Sequence, residues 1–189
     1  MVTLNLKPVI HLNQEQFKQL VVANPDAFLE LTSIGELVVM SPTGGETGDR
    51  NDEISFQLRA WNKQTQLGKT FNSSTGFALP NGATRSPDAS WVSLSRWNQL
   101  TPNERQSFPP LCPDLVIELR SPSDNLKDLR DKMQEYINNG ANLGWLLDPM
   151  RKVVEIYRPG QPVEILQNPT QLSGENVLSG FVLNLEEIL

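Results

Sequence analysis

The chain has 189 residues, 38% hydrophobic and 20% charged, with a formal net charge of −6 at pH 7. That profile suits one globular domain over residues 1–189, and its acidic balance counts against a tight nonspecific DNA binder, though not against a local basic edge beside an acidic, metal-loaded pocket. No apolar run reaches the roughly 20 residues that span a bilayer, the N-terminal MVTLNLKPVIHLNQ has neither the basic start nor the apolar stretch of a signal peptide, and the single cysteine, Cys112, rules out an internal disulfide, so a cytoplasmic protein is expected.

Residues 13–23 (NQEQFKQLVVA) read as a short helix with Phe17, Leu20 and Val21 as its apolar side, ended by Asn24-Pro25-Asp26. Residues 28–32 and 36–40 read as two strands turning at Ser33-Ile34-Gly35. After Gly44 and Gly45 a helix over 46–67 spaces Ile54, Leu58, Trp61 and Thr65 as the stripe of a helix lying on a sheet. Strands follow near 69–72, 76–79 and 88–93, and the Pro- and Ser-rich stretch 101–110 reads as irregular. Residues 111–119 give the strongest strand. Residues 125–138 form a second amphipathic helix with Leu126, Leu129, Met133, Tyr136 and Ile137 as its stripe and Gly140 as its stop. Strands at 144–147, 152–157 and 163–166 follow. Hairpins mixed with helix crossovers predict an α/β fold, a mixed β-sheet flanked by α-helices.

Four places along this frame carry chemistry. Asp88 follows Pro87, which cannot donate to a ladder and suits the first residue of a strand, so Asp88 stands at a strand's mouth. A turn aspartate before a strand is the more ordinary reading of that residue alone. Glu118 shares a strand face with Asp114, Val116 and Arg120, while Leu115, Ile117 and Leu119 share the other. A solvent-facing edge would explain that alternation, but acids are rarely buried without partners, and a divalent cation between Asp88 and Glu118 would offset the cost. Lys132 lies on one border of the 125–138 stripe and Arg130 on the other, so spacing does not choose between them, and a snorkelling lysine is the ordinary reading. Glu46 begins the 46–67 helix, where acids also gather for dipole reasons, and Glu53 on that helix reads as solvated.

Other chemistries find no support. His11 is the only histidine, with no nucleophile placed near it, and one histidine with one cysteine cannot build a usual structural zinc site. Neither a G-x-x-x-x-G-K-[ST] nor a G-x-G-x-x-G motif occurs. What is left is a carboxylate site.

The runs SPTGGET, SPDASW, PDLVIELRSPSD and DKMQEYINNGANLGWLLDP, in that order over about residues 36–158, resemble the family of putative restriction endonucleases of Uma-two type, which is placed in the PD-(D/E)XK nuclease superfamily. The resemblance implies a restriction-endonuclease-like core, Mg²⁺-dependent (or Mn²⁺-dependent) phosphodiester hydrolysis, a nucleic-acid substrate, DNA by analogy, and a homodimer. It makes Asp88 the acid of the first motif, Glu118 that of the second and Glu46 the acid of the first core helix, all three as metal ligands. The superfamily lysine is expected two residues after Glu118, where this chain has Arg120. The family instead shows a lysine four residues before a tyrosine on the next helix, here Lys132 and Tyr136, which implies a migrated catalytic lysine with Arg120 as the alternative. A nuclease-fold protein that binds or assembles without cutting is the rival reading.

Overall fold

The computed structural model describes residues 2–4, 6 and 10–189. Val2–Leu4 forms β1, and Gln14–Ala23 forms α1, opened by a capping box in which Asn13 and Gln16 satisfy each other's backbone N–H. Leu29–Leu31 (β2) and Leu37–Val39 (β3) make the expected hairpin, with Gly35 at φ 79° in its turn. Helix α2 spans Gly45–Thr65, followed by β4 (Gly68–Asn72), β5 (Phe77–Ala78), β6 (Thr84–Arg85) and β7 (Ala89–Ser93). Two short helices, α3 (Leu94–Gln99) and α4 (Pro102–Gln106), precede β8 (Leu115–Leu119). Helix α5 (Leu126–Asn138) leads to β9 (Leu143–Asp148), β10 (Val153–Tyr157), β11 (Glu164–Gln167), β12 (Gln171–Ser173) and β13 (Val182–Asn184).

The main sheet runs β11-β10-β9-β8-β7-β4, mixed because β8 and β9 are parallel while its other pairs are antiparallel. The parallel pair needs a crossover, and α5 supplies it. β8 is therefore central and all five of its residues are buried. Alternation sends Leu115, Ile117 and Leu119 to one face, against Ile54 and Leu58 of α2 and the C-terminal Phe181 and Ile188. Val116 faces the other way, into Leu129, Met133 and Tyr136 of α5. Both layers are helix on sheet, as expected.

Three expectations are corrected. The strands do not form one sheet: β1-β3-β2-β6-β5 make a separate antiparallel sheet, and β12 and β13 a two-stranded one. β4 pairs directly with β7, so the chain between them leaves the main sheet and carries β5 and β6 into the second one. The strand expected at 111–119 starts only at Leu115, because Pro113 has no N–H and the Asp114 side chain is engaged outside any ladder. It accepts from the Ser93 N–H, Arg96 and Asn142 at 2.8, 2.9 and 2.9 Å, binding three segments together at the head of β8. On α2, Thr65 is exposed and Asn62 is buried in its stead, bonding both backbone groups of Gly68 and the Trp91 indole N–H.

Cys112 is fully buried, and burial pushes its thiol up to about 12. A thiol so placed has almost no thiolate at neutral pH. Alkylation by iodoacetamide is expected only as fast as the protein unfolds, and mass spectrometry of the native protein over hours should show an unmodified chain. Rapid native labelling would contradict this packing.

Candidate active site

The register of β7 against β8 sets Ala89 opposite Ile117, which places Asp88, one step earlier, across from Glu118. Asp88 Oδ2 accepts the Leu119 N–H at 2.8 Å. Burial pushes the Asp88 carboxyl up to about 6, against the opposing pull of that hydrogen bond and of Lys132. Glu118 goes further, to about 8: burial is the main cause, and the charges of Asp88 and Glu30 add to it while Lys132 opposes. Both acids line a cavity of about 660 Å³ shared with Glu46, Asn51, Arg120 and Asp124.

Behind Glu118 lies a buried ionic network. Asn125 caps α5 by accepting the Lys127 N–H, and Leu129, Lys132, Met133 and Tyr136 then fall on its buried side. Lys132 donates to Glu30 Oε1 and meets Glu118 Oε1, both at 2.9 Å. Tyr136 donates its hydroxyl to the same Glu118 oxygen at 2.9 Å. Glu30, on β2 of the second sheet and fully buried, also accepts the Ser86 N–H at 2.8 Å and Arg85 at 3.2 Å. Arg85 in turn holds Glu135 at 2.6 Å. Burial alone would raise the Glu30 carboxyl, but the Lys132 and Arg85 charges and the Ser86 amide outweigh it and hold it below its ordinary value.

The structure thus sorts the sequence candidates. Asp88, Glu118 and Lys132 come together, Lys132 from the far wall: it lines a neighbouring cavity with Asp124 and Leu129, not the one lined by the two acids. The two bases that spacing left undistinguished differ in what stands opposite each. Lys132 is 5% exposed between two acids, whereas Arg130 is 44% exposed and grips Glu155. Glu46 stands at the cavity's mouth with its side chain 87% exposed, paired to Arg50 at 3.4 Å, and is not gathered with the other two acids. Arg120 turns to Asp148 at 2.8 Å, leaving a buried Nε with no partner among the described residues.

Glu30 and Arg85 carry no site signal in the sequence, and Tyr136 enters only through the resemblance, as the tyrosine four residues after the lysine. Leu29-Glu30-Leu31 has the alternation of a half-exposed strand, and Tyr136 counts as one more apolar stripe position. The one usable signal was the lone acid between leucines, which a second sheet turns inward.

The donor set fits a hard divalent cation. Around the two bases Lys132 and Arg85 stand four carboxylates, Glu30, Glu118, Glu135 and Asp88, and the last of these and Glu118 are pushed upward by burial and by the charge of neighbouring acids. Among the described residues, Asp88 Oδ1 and Glu118 Oε2 accept no hydrogen bond. No group of three or more His, Cys, Asp or Glu is gathered as a cage among the described residues, and Mg²⁺ needs none, since it keeps several waters and takes one or two carboxylates.

A central mixed sheet with a helix on each face, and paired acids on facing strands at one end, is a restriction-endonuclease-like core. The profile of the family Uma2, described as "Putative restriction endonuclease", matches residues 14–186, and the chain belongs to that family. The fold is similar to the crystal structure of a putative nuclease belonging to DUF820 from Anabaena variabilis ATCC 29413. That likeness has a TM-score of 0.76 at 19% identity and covers 93% of this chain and 96% of that one. No curated protein matches.

Proposed function

We propose that the protein is a metal-dependent nuclease of the PD-(D/E)XK type that hydrolyses phosphodiester bonds, its site formed within one domain. The observation that carries this reading is the pairing of Asp88 with Glu118 on one cavity wall, with Lys132 bonded to Glu118. Asp88 and Glu118 would hold Mg²⁺ or Mn²⁺, with Glu46 at the rim contributing through water. Such an ion supplies charge neutralisation at the scissile phosphate and lowers the pKa of water at the site.

The chain's own groups prepare that arrangement. Tyr136 and Lys132 fix one oxygen of Glu118, so the other points free. The Leu119 amide does the same for Asp88. An ammonium has three donors, and two of those on Lys132 are committed to Glu30 and Glu118. The third would be open to a water in the neighbouring cavity that Lys132 lines. Arg120 lines the same cavity, oriented by Asp148, and its planar fork suits phosphate oxygens better than proton transfer.

The test is thermal unfolding with and without metal. An ion bound at ten times its Kd stabilises by about 1.4 kcal/mol, a Tm rise of about 3–6 °C for a chain of this size. Asp88→Asn is expected to abolish that rise while leaving the apo protein folded. An equal rise in the variant would show that the ion binds elsewhere. Plasmid nicking and single-strand cleavage over a range of Mg²⁺ and Mn²⁺ test the chemistry, and a wild type that cuts nothing under any condition would favour the binding-module reading.

A further inference from the structure

A second, smaller cavity of about 290 Å³ opens beside the acid pair, and Asp88, Asn51 and the 40–43 segment line both spaces. Phe28, Phe108 and Val21 line this branch and not its neighbour, and the polar part of its wall includes Glu30, Ser73 and Ser86. Phe28 leaves 59% of its surface exposed although it is a large aromatic next to a β-hairpin. Phe108 is set into the wall by Gly76: a Cβ there would come within 2.9 Å of the Phe108 ring, so only glycine lets the ring lie against that backbone. Phe17 backs Phe108 from behind, with ring centroids 5.9 Å apart. At the junction of the two cavities, the side-chain oxygen of Asn51 is buried and has no partner among the described residues.

We propose that this branch is a subsite for a single unpaired nucleobase attached to the phosphate that an ion at Asp88 and Glu118 would hold. The inference rests on the reading of those acids as the phosphodiester-cleaving pair, and it names the form of substrate they act on. Whatever enters the branch must also reach Asp88, which points to a part of the substrate itself. The volume lies at the small end of ligand cavities, the size of one heterocycle. Aromatic walls bind a base through its flat faces, and those faces are covered by neighbours in a duplex, so the base must be unstacked to enter. Stacking is indifferent to base identity, whereas the unpartnered acceptor of Asn51, brought to the cavity by a turn of its side chain, suits an exocyclic amino group. An amide can present either its oxygen or its nitrogen, so Asn51 accommodates other bases by rotation.

The experiment uses short oligonucleotides carrying 2-aminopurine, whose fluorescence is quenched on stacking, as DNA and as RNA, single-stranded and in a duplex. Binding is read by anisotropy in EDTA and in Mg²⁺. Wild type should bind a single strand with a quenching change and bind the duplex more weakly. Phe28→Ala should weaken single-strand binding about tenfold or more, the loss expected for one stacked base, and lose the quenching change, while Phe28→Trp restores both. Phe28 is exposed, so neither variant threatens the fold, and equal Tm values check this. Gly76→Ala, which displaces Phe108, should act in the same direction.

Equal binding of single strand and duplex, no binding of either, or an unchanged Phe28→Ala would overturn the subsite. Quenching by a wild type that never cleaves would leave the subsite standing and remove the nuclease reading. Cleavage unaffected by Phe28→Ala would do the reverse.

Discussion

Replacing Lys132 with methionine, which keeps the stem and removes the charge, is expected to lower metal-dependent cleavage by about 10²–10³, the range for loss of one transition-state contact. The geometry adds a second expectation. Lys132 is the cation that Glu30 and Glu118 share at 2.9 Å each, so its loss leaves two buried acids facing each other. Breaking a buried pair from one side typically costs about 3–5 kcal/mol, and at 2–4 °C per kcal/mol the Tm should fall by about 6–20 °C. Activity and stability must therefore be measured together, with cleavage assayed well below the variant's Tm. Lys132→Arg separates the roles. It restores charge, but a planar fork cannot replace a compact ammonium at this spacing, so stability should recover more than the rate does. A methionine variant that cuts as fast as wild type would transfer the chemical role to Arg120. In that event Arg120→Ala becomes the decisive variant. Under the present reading it should weaken nucleic-acid binding more than it slows cleavage of bound substrate.

Replacing Glu30 with alanine is expected to be as damaging to the fold, although Glu30 lies on neither strand of the acid pair. It removes an acceptor from Lys132, Arg85 and the Ser86 amide at once. A cost of about 3–5 kcal/mol is again the scale, read as a urea midpoint shifted at unchanged slope. The pH dependence has a definite sign. The Glu30 carboxyl is held below its ordinary value in the folded state, so its stabilisation is fully present above the unfolded carboxylate range. It is lost as pH falls through the folded value. Wild type should therefore lose stability on acidification more steeply than Glu30→Gln, and parallel acid limbs for the two proteins would refute this. Ser86 is two residues before Asp88, so the same variant should also loosen the turn that presents Asp88. Weaker metal stabilisation in Glu30→Gln would report that effect.

How much of this was legible beforehand depended on the range of the interactions. Helix α5 is written in local signals: an Asn cap, an apolar stripe and a glycine just past its end at φ 105°. β8 is a run of buried residues, apolar but for Glu118, and only its start was misplaced, where Pro113 and Asp114 override the apolar pattern. Helix α4 was also within reach, since Thr101-Pro102-Asn103-Glu104 is a capping box with proline at its first helical turn. Residues 101–110 had looked irregular because one helical turn is too short to show periodicity. β6, β12 and β13, at two or three residues each, fall below the length at which alternation means anything. Asp88 and Glu118 stood out by resemblance and by strand position. Glu30 did not, because its meaning lies in a contact 102 residues away, and no local pattern distinguishes an acid that faces water from one that faces a lysine in another layer.

Glu30 ties the proposed site to the second sheet, and this changes what counts as the smallest working unit. A chain trimmed to residues 36–158 would keep Asp88, Glu118 and Lys132, every residue the motifs name. It would nevertheless lose Glu30 along with β2, and with the C-terminal segment the cover that Phe181 lays over Trp145, ring centroids 6.1 Å apart. The motif-bearing stretch is a fragment of the machine. Transplanting it into another scaffold would carry over the reactive groups without the opposing charge that keeps the lysine in register.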